Sequence, residues 1–448
     1  MEGLPRVQTS APDRDFKKAF AEALPPLTAQ EAMVEANRCL FCFDAPCTHA
    51  CPTHIDIPRF IKKISTENLL GSARTIFEAN LLGATCARVC PVQELCEGAC
   101  VLGKEHKPIS IGRLQRFAMD RIAGRERTAI VLAASTGRHV AVIGSGPAGL
   151  SCAGELARRG HSVTIFEKRT LAGGLSTFGI IAVREPIEIA LAEAQMIQSL
   201  GVKIETGAEL GGNLSLADLQ QRFDAVFLAL GLGSTPALNI PGEQFIEDGL
   251  HYVERSKLDP ANISRGEKVV VIGAGNTAID CATIAKRLGA AQVTMVYRRS
   301  AREMTAYPHE YDFVKKEGVE IRFLTQPVRV ETHDGHVTGV VCIPMELDPS
   351  SAGRALARPS GGPEFFIPAD QIVKAIGQQK PGLAAMLGLQ TNGGFLRVNE
   401  HFETSLPGVY AGGDCIRAKN SASTVMAVQD GKLSAAAIHE RIMRQAHG

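Results

Sequence analysis

Eight of the twelve cysteines fall within the first 100 residues, in two tight groups. Cys39, Cys42, Cys47 and Cys51-Pro52 form the first; Cys90-Pro91, Cys96 and Cys100 form the second, with Cys86 just ahead of it. An iron-sulfur cube needs four soft ligands, and short Cys-x2-Cys spacings let backbone amides surround its inorganic sulfides. In two-cluster proteins the cysteine followed by proline serves the other cluster, so the ligands interleave. On that pattern Cys39, Cys42, Cys47 and Cys100 hold one [4Fe-4S] cluster, and Cys51, Cys90 and Cys96 belong to a second that lacks one ligand. Cys86 is one candidate for the vacancy, and a buried idle thiol is the other reading of it. A pair of structural zinc ions, which also accept four thiolates, is the alternative for the whole region.

The second kind of chemistry lies in two glycine turns. Gly144, Gly146 and Gly149 follow an apolar stretch and open a helical one, and Glu167 ends the next apolar stretch 23 residues on. Glycines at those positions allow a sharp turn and close approach to a pyrophosphate, whose charge meets the helix N-terminus while the acid takes the ribose hydroxyls. Gly273, Gly275, Asn276, Thr277 and Ala278 repeat the turn about 129 positions later. There the place of the acid is taken by Tyr297, followed by Arg298 and Arg299. Guanidinium groups in place of a carboxylate favour a 2′-phosphate, hence NADP over NAD. Gly412-Gly413-Asp414 and the helix start Thr424-Val425 complete a flavin-like set: the aspartate can hold ribityl or phosphate-linked hydroxyls, and a helix N-terminus stabilises negative charge on a reduced flavin. Outside the first 100 residues the cysteines are single (Cys152, Cys281, Cys342, Cys415), so no redox pair stands by for disulfide exchange.

These residues need elements to carry them. Thr28 to Glu31 reads as a capping box that starts a helix delivering Cys39. Helices over 56–64 and 71–80 space the cysteine groups, and an amphipathic helix from Ile111 to about Ala123 leaves them. Residues 1 to about 28 read as a loosely held tail. From Arg138 strands and helices alternate, giving one βαβ unit at 139–167 and a second at 268–296. Apolar strands at 223–231 and 371–377, each ending on glycine, mark the chain leaving and re-entering the first nucleotide domain; segments 337–343 and 349–363 fit a hairpin. The expected fold is α/β: a helical iron-sulfur domain (1–130), a discontinuous FAD-binding domain (131–250 and 375–448), and an NAD(P)-binding domain (251–374) inserted in it.

Composition narrows the classes. With 448 residues, 45% hydrophobic and 21% charged, the chain has room for two or three ordinary globular cores. A formal charge of +1 offers no basic field for a phosphate backbone, which argues against nucleic acid. No stretch approaches the apolar length of a membrane span or a signal peptide, so no membrane partner and a cytoplasmic location are expected. A dense cysteine group in a reducing compartment points to metal or catalysis rather than disulfides.

The segments 39–47 (CLFCFDAPC), 51–53 (CPT), 108–117 (PISIGRLQRF) and 273–283 (GAGNTAIDCAT) resemble the flavin-containing half of dihydropyrimidine dehydrogenase and its stand-alone NAD-dependent subunit, over residues from about 30 to 440. The small subunit of glutamate synthase is similar too, with a poorer match of cysteine spacing. The resemblance implies that Gln115 completes the second cluster, which residue counting does not reveal. It also brings Gly174 and Arg184 into the cofactor-binding set, although 179–186 (GIIAVREP) departs from the family's usual Gly-Ile-Pro-x-Phe-Arg-Leu-Pro. It implies NAD(P)H, FAD and two [4Fe-4S] clusters in one electron-input subunit; the two-subunit bacterial enzymes are associated with NADH, whereas Arg298 and Arg299 favour NADPH. The partner it implies is an FMN and iron-sulfur subunit that reduces uracil or thymine to the 5,6-dihydropyrimidine, in a heteromer such as a heterotetramer. The competing readings are a glutamate-synthase-like electron donor and a zinc-stapled nucleotide-binding module without catalysis.

Overall fold

The computed structural model describes residues 14–348, 355–380, 382–417 and 423–447. The chain forms two compact units. One comprises Ala23–Thr177, Ile187–Leu232 and the chain from Lys380 onward; the other comprises the segment up to Glu22, Phe178–Pro186 and Gly233–Gln379.

In the first unit, β1 (His139–Ile143), β2 (Ser162–Glu167), β3 (Lys203–Thr206) and β4 (Ala225–Leu228) are parallel neighbours. All but the first residue of β1, and all of β4, are buried, as apolar strands covered on both faces must be. β1 lies between β2 and β4, so the connections diverge on either side of it and leave a crevice at its C-terminal end. The helix Pro147–Arg158 follows directly.

In the second unit, β5 (Glu247–Asp248), β6 (Lys268–Ile272), β7 (Gln292–Val296) and β8 (Glu320–Arg322) begin another parallel sheet, with the helix Asn276–Arg287 after β6. An antiparallel set interrupts it: β9 (Thr325–His333), β10 (His336–Leu347), β11 (Ala357–Pro359) and β12 (Phe365–Pro368), β10 pairing with the other three. β13 (Gln371–Lys374) then enters the parallel sheet between β5 and β6. The chain finally returns to the first sheet as β14 (Val409–Ala411) beside β4, and the helix Thr424–His447 ends it.

Several expectations need correction. The strand at 371–374 pairs with β5 and β6, so the second nucleotide-binding unit begins at Gly233 and ends at Gln379 rather than at 251 and 374. The cause is β5, two residues too short to show periodicity, which ties 247–248 to that sheet. The segment up to about 28 is not a free tail where it is described: Arg14–Ala19 is helical, Phe20 is buried in the second unit's core and Leu27 in the first's. Residues 1–13, and 349–354 of the expected hairpin, lie outside the described residues. The helix from Ile111 stops at Asp120. The cysteine-bearing helices of the N-terminal region pack without a break onto the first sheet, because Ile57, Phe60, Ile76 and Phe77 share one core with β1, β2 and the final helix through Val140, Ile165 and Val428.

Candidate functional site

The expected capping box is present: Glu31 N donates to Thr28 Oγ1 at 3.2 Å while Thr28 N donates to the Glu31 carboxylate at 2.8 Å. It contributes about 1 kcal/mol and fixes where the helix Ala29–Asn37 starts, and so where Cys39 emerges. Cys47 rides the short helix Pro46–Ala50, which Cys51 terminates. Cys86 lies on the helix Gly83–Val89 and Cys90 ends it; Glu193 caps that helix, accepting from Ala84 N at 2.7 Å and Thr85 N at 3.2 Å. Cys100 opens the turn Val101–Lys104.

These elements close around two cavities. Cys39, Cys42, Cys47 and Cys100 line one, with Leu40 and Ile57 among its apolar wall. Cys51, Cys86, Cys90, Cys96 and Gln115 line the other, together with Asn80 and Val425. The interleaved partition read from the spacing is therefore the partition in space. Burial, then the neighbouring Cys39 and Cys100, push the Cys47 thiol up to about 11, and burial followed by Cys42 and Cys100 raises Cys39. The Cys90 thiol rises well above its usual range, first through a hydrogen bond with Cys86 and then through burial. Thiols that oppose one another's ionisation in this way need a cationic centre before all can be thiolates, which suits an iron-sulfur cube. Gln115 Nε2 donates to Gly83 O at 2.8 Å, which leaves the amide oxygen as its free end in a cavity that four thiols also line, those of Cys51, Cys86, Cys90 and Cys96. Cys86 is inside the same cavity as Cys90, which sequence spacing left open.

The nucleotide residues gather as two further sets. Gly144 has φ of +95°, and a Cβ on it would lie 2.4 Å from Ala229 O, so no other residue makes this turn. A Cβ built on Gly174 would stand 2.7 Å from Gly146 Cα, a close approach that a side chain at 174 would block. Gly146 caps the helix Pro147–Arg158 without any side-chain cap, leaving its first amides for an anion. Gly149 packs so tightly that a Cβ would sit 1.9 Å from Gly144 O. The buried Glu167 carboxylate accepts from Ser145 N at 2.9 Å and Ser145 Oγ at 2.6 Å, which holds it at this turn. Gly413 N donates to Asp430 at 3.0 Å, and Arg417 Nε donates to the same carboxylate at 2.8 Å. Burial, and then Asp430, raise the Asp414 carboxyl to about 6. Thr424 opens the final helix, while Val425 is buried against the second cysteine cavity.

In the second unit, Gly275 caps the helix Asn276–Arg287, again with no side-chain cap, and Asn276 Oδ1 is a buried atom with no hydrogen-bond partner. Such an orphan acceptor beside an uncapped helix start fits a dinucleotide. Thr277 is half-buried on the same first turn and Arg298 is exposed. Arg299 spends one nitrogen on Ala355 O at 2.9 Å. Arg184 is held in an ion-pair network. It belongs to the second unit, where its guanidinium is committed to Asp280 at 3.0 Å and to Glu310. Its counter-ions lie 96 and 126 positions away in sequence. Asn80, Lys432 and Glu193 were not singled out from the sequence: Asn80 ends a helix, the other two sit inside helices, and no spacing marks any of them.

Residues 138–431 match the family described as pyridine nucleotide-disulphide oxidoreductase, and residues 16–127 match dihydropyrimidine dehydrogenase domain II, 4Fe-4S cluster. The chain belongs to the pyridine nucleotide-disulphide oxidoreductases. Among relatives of this oxidoreductase, the NAD-dependent dihydropyrimidine dehydrogenase subunit PreT of Escherichia coli is 35% identical, over 93% of the chain and 96% of the relative. The glutamate synthase [NADPH] small chain of the same organism is 31% identical over 94% and 93%. The NADP(+)-dependent formate dehydrogenase subunit beta of Moorella thermoacetica is 35% identical over 90% of the chain, which spans only 60% of that relative. Mycobacterium tuberculosis FprA in complex with NADPH shares the fold, with a TM-score of 0.57 at 18% identity over 69% of this chain and 86% of that one.

The oxidoreductase uses FAD and NAD(P)H, and its N-terminal region is a 4Fe-4S one, which sets aside the zinc alternative. Its disulphide label does not describe the residues here: Cys152, Cys281, Cys342 and Cys415 are all buried and unpaired by disulfides. Among the described residues no helix is long and apolar enough to cross a membrane.

Proposed function

We propose that the chain is the electron-input subunit of a dihydropyrimidine dehydrogenase. It oxidises NAD(P)H and passes electrons singly through two [4Fe-4S] clusters to a partner subunit, carrying FMN and iron-sulfur, that reduces uracil or thymine to the 5,6-dihydropyrimidine. The observation that supports the reading is Gln115 in one cavity with Cys51, Cys90 and Cys96, the ligand set that a dihydropyrimidine dehydrogenase-like chain would use; Cys86, in the same cavity, would then serve as a hydrogen-bond partner of Cys90 rather than as a ligand. When bound, the flavin supplies the exchange between hydride and one-electron chemistry, and the clusters supply the relay.

The residues divide the work. Gly144, Gly146, Gly149 and the amides that begin Pro147–Arg158 would cradle the FAD pyrophosphate, and Glu167 would take its ribose. Gly174 leaves the backbone space for that cradle, and Gly413, Asp414, Thr424 and Val425 would face the rest of the flavin. Gly273, Gly275, Asn276 and Thr277 would bind the nicotinamide nucleotide, with Arg298 and Arg299 at its 2′-phosphate. Cys39, Cys42, Cys47 and Cys100 would hold the first cluster. Twelve free cysteines suit a reducing, cytoplasmic setting.

Anaerobically purified chain should contain about eight iron and eight sulfide atoms and reduce a one-electron dye with NADH or NADPH. Copurification with its partner then decides the acceptor. Uracil-dependent NAD(P)H oxidation is expected; oxidation dependent on glutamine and 2-oxoglutarate instead would move the chain to the glutamate synthase type.

A further inference from the structure

The second cysteine cavity contains a polar group that ligation does not use. Asn80 ends the helix Leu69–Ala79 and is 1% exposed. Its Oδ1 accepts from Leu82 N at 2.8 Å, which fixes the orientation of the amide and leaves Nδ2 as the free end. That Nδ2 is buried and has no hydrogen-bond partner, while the residue lines the cavity with Cys51, Cys86, Cys90, Cys96 and Gln115. A buried amide donor without an acceptor is destabilising, so a fold keeps one where something completes it. The other cavity-lining side chains are thiols, Gln115, Thr53 and apolar groups, and none of them pairs with Nδ2.

The backbone beside Asn80 is also held. Lys432, on the final helix, donates from Nζ to Ala79 O at 3.1 Å and to Thr53 O at 2.7 Å. The first carbonyl immediately precedes Asn80; the second lies two residues beyond Cys51. One ammonium thus ties the donor and a ligand-bearing turn to the helix whose Val425 lines the same cavity.

We propose that Asn80 Nδ2 donates a hydrogen bond to a sulfur of the second cluster, and that Lys432 is the positioning residue that holds it there. The inference rests on the reading that this cavity holds a [4Fe-4S] cluster. Reduction adds negative charge to the cluster's sulfurs, so a donor and a nearby fixed cation favour the reduced form of this cluster. The chain thereby gains a tuned electron sink beside the flavin helix.

The test uses the holoprotein and follows each cluster by electron paramagnetic resonance during a redox titration. Asn80→Asp keeps the acceptor for Leu82 N and removes the donor. At a fixed potential its reduced-to-oxidised ratio at the second cluster should fall by about a thousandfold, the effect of one unit charge about 4 Å away at an effective dielectric near 20. The first cluster should not move, and flavin reduction by NAD(P)H should keep its rate. Lys432→Met should shift the second cluster in the same direction, and Lys432→Arg should restore part of the shift. In wild-type protein carrying 15N at the asparagine side-chain amide, the reduced second cluster should show a 15N hyperfine coupling, a measurement independent of how any variant folds. An unshifted second cluster in Asn80→Asp with full iron, or no 15N coupling in wild type, overturns the inference alone. Wild-type protein with only about four irons overturns it together with the two-cluster reading.

Discussion

Arg417→Met should destabilise the first unit more than any comparable surface change. Asp430 is fully buried, and its carboxylate is met by Gly413 N at 3.0 Å, Arg417 Nε at 2.8 Å and a second Arg417 nitrogen. The Arg417 side chain is 22% exposed, so the pair lies mostly out of water. Removing one partner of a buried ion pair costs about 3–5 kcal/mol, because the remaining charge stays desolvated. The partial exposure of Arg417 places this case at the low end, about 3 kcal/mol, or a thermal midpoint lower by about 5–10 °C. Methionine keeps the length and apolar stem, which isolates the loss of charge. The assay is release of flavin fluorescence on heating for wild type, Arg417→Met, Asp430→Asn and the double variant. Asp430→Asn should cost less than Arg417→Met, since an unpaired Arg417 can still reach water. The double variant should resemble Asp430→Asn, not the sum of the two. A midpoint for Arg417→Met within about 1 °C of wild type, or strictly additive losses, would refute the assignment of a buried charge that depends on this arginine.

Other expectations follow from the same geometry. Cys100→Ser should remove the first cluster and about half of the iron, leaving the resonance of the second; Cys96→Ser should do the reverse, as iron and sulfide analysis with electron paramagnetic resonance will show. Arg298→Ala with Arg299→Ala should raise KM for NADPH about tenfold or more while leaving KM for NADH within about twofold, checked by steady-state dye reduction. For Asp414, burial and then Asp430 raise the folded carboxyl to about 6, above the unfolded value near 3.9. Its stabilising contribution is therefore complete below about 4 and lost as pH rises through about 6. Asp414→Asn should flatten the dependence of the thermal midpoint on pH across that window.

What could be read from the sequence has a physical pattern. The two glycine turns were legible because steric exclusion leaves glycine no substitute: the carbonyl of Ala229 stands where a Cβ of Gly144 would go. The cysteine partition was legible because ligand spacing is short compared with the elements that carry it. Gln115 was not; an amide on a helix carries no spacing signal, and only the resemblance pointed to it. The partners of Arg184 were not legible either, since Asp280 and Glu310, distant in sequence, decide where its charge goes. The unit boundaries were misplaced at 251 and 374 because β5 is two residues long, and the segment around Phe20 joins the second unit's core through partners, such as Arg287, that are distant in sequence. Asn80 and Lys432 gain meaning only from the carbonyls and the cavity around them.

One core serves both the cysteine helices and the first parallel sheet, from Ile57 through Val140 to Val428. Electron tunnelling falls off steeply with separation and is slowed by any gap that opens and shuts between donor and acceptor. A seamless interior has no joint at which such a gap could breathe, so spacing within this unit is set once, on folding. Cutting the chain near residue 130 to harvest an independent iron-sulfur module would divide that interior and expose apolar side chains on both fragments.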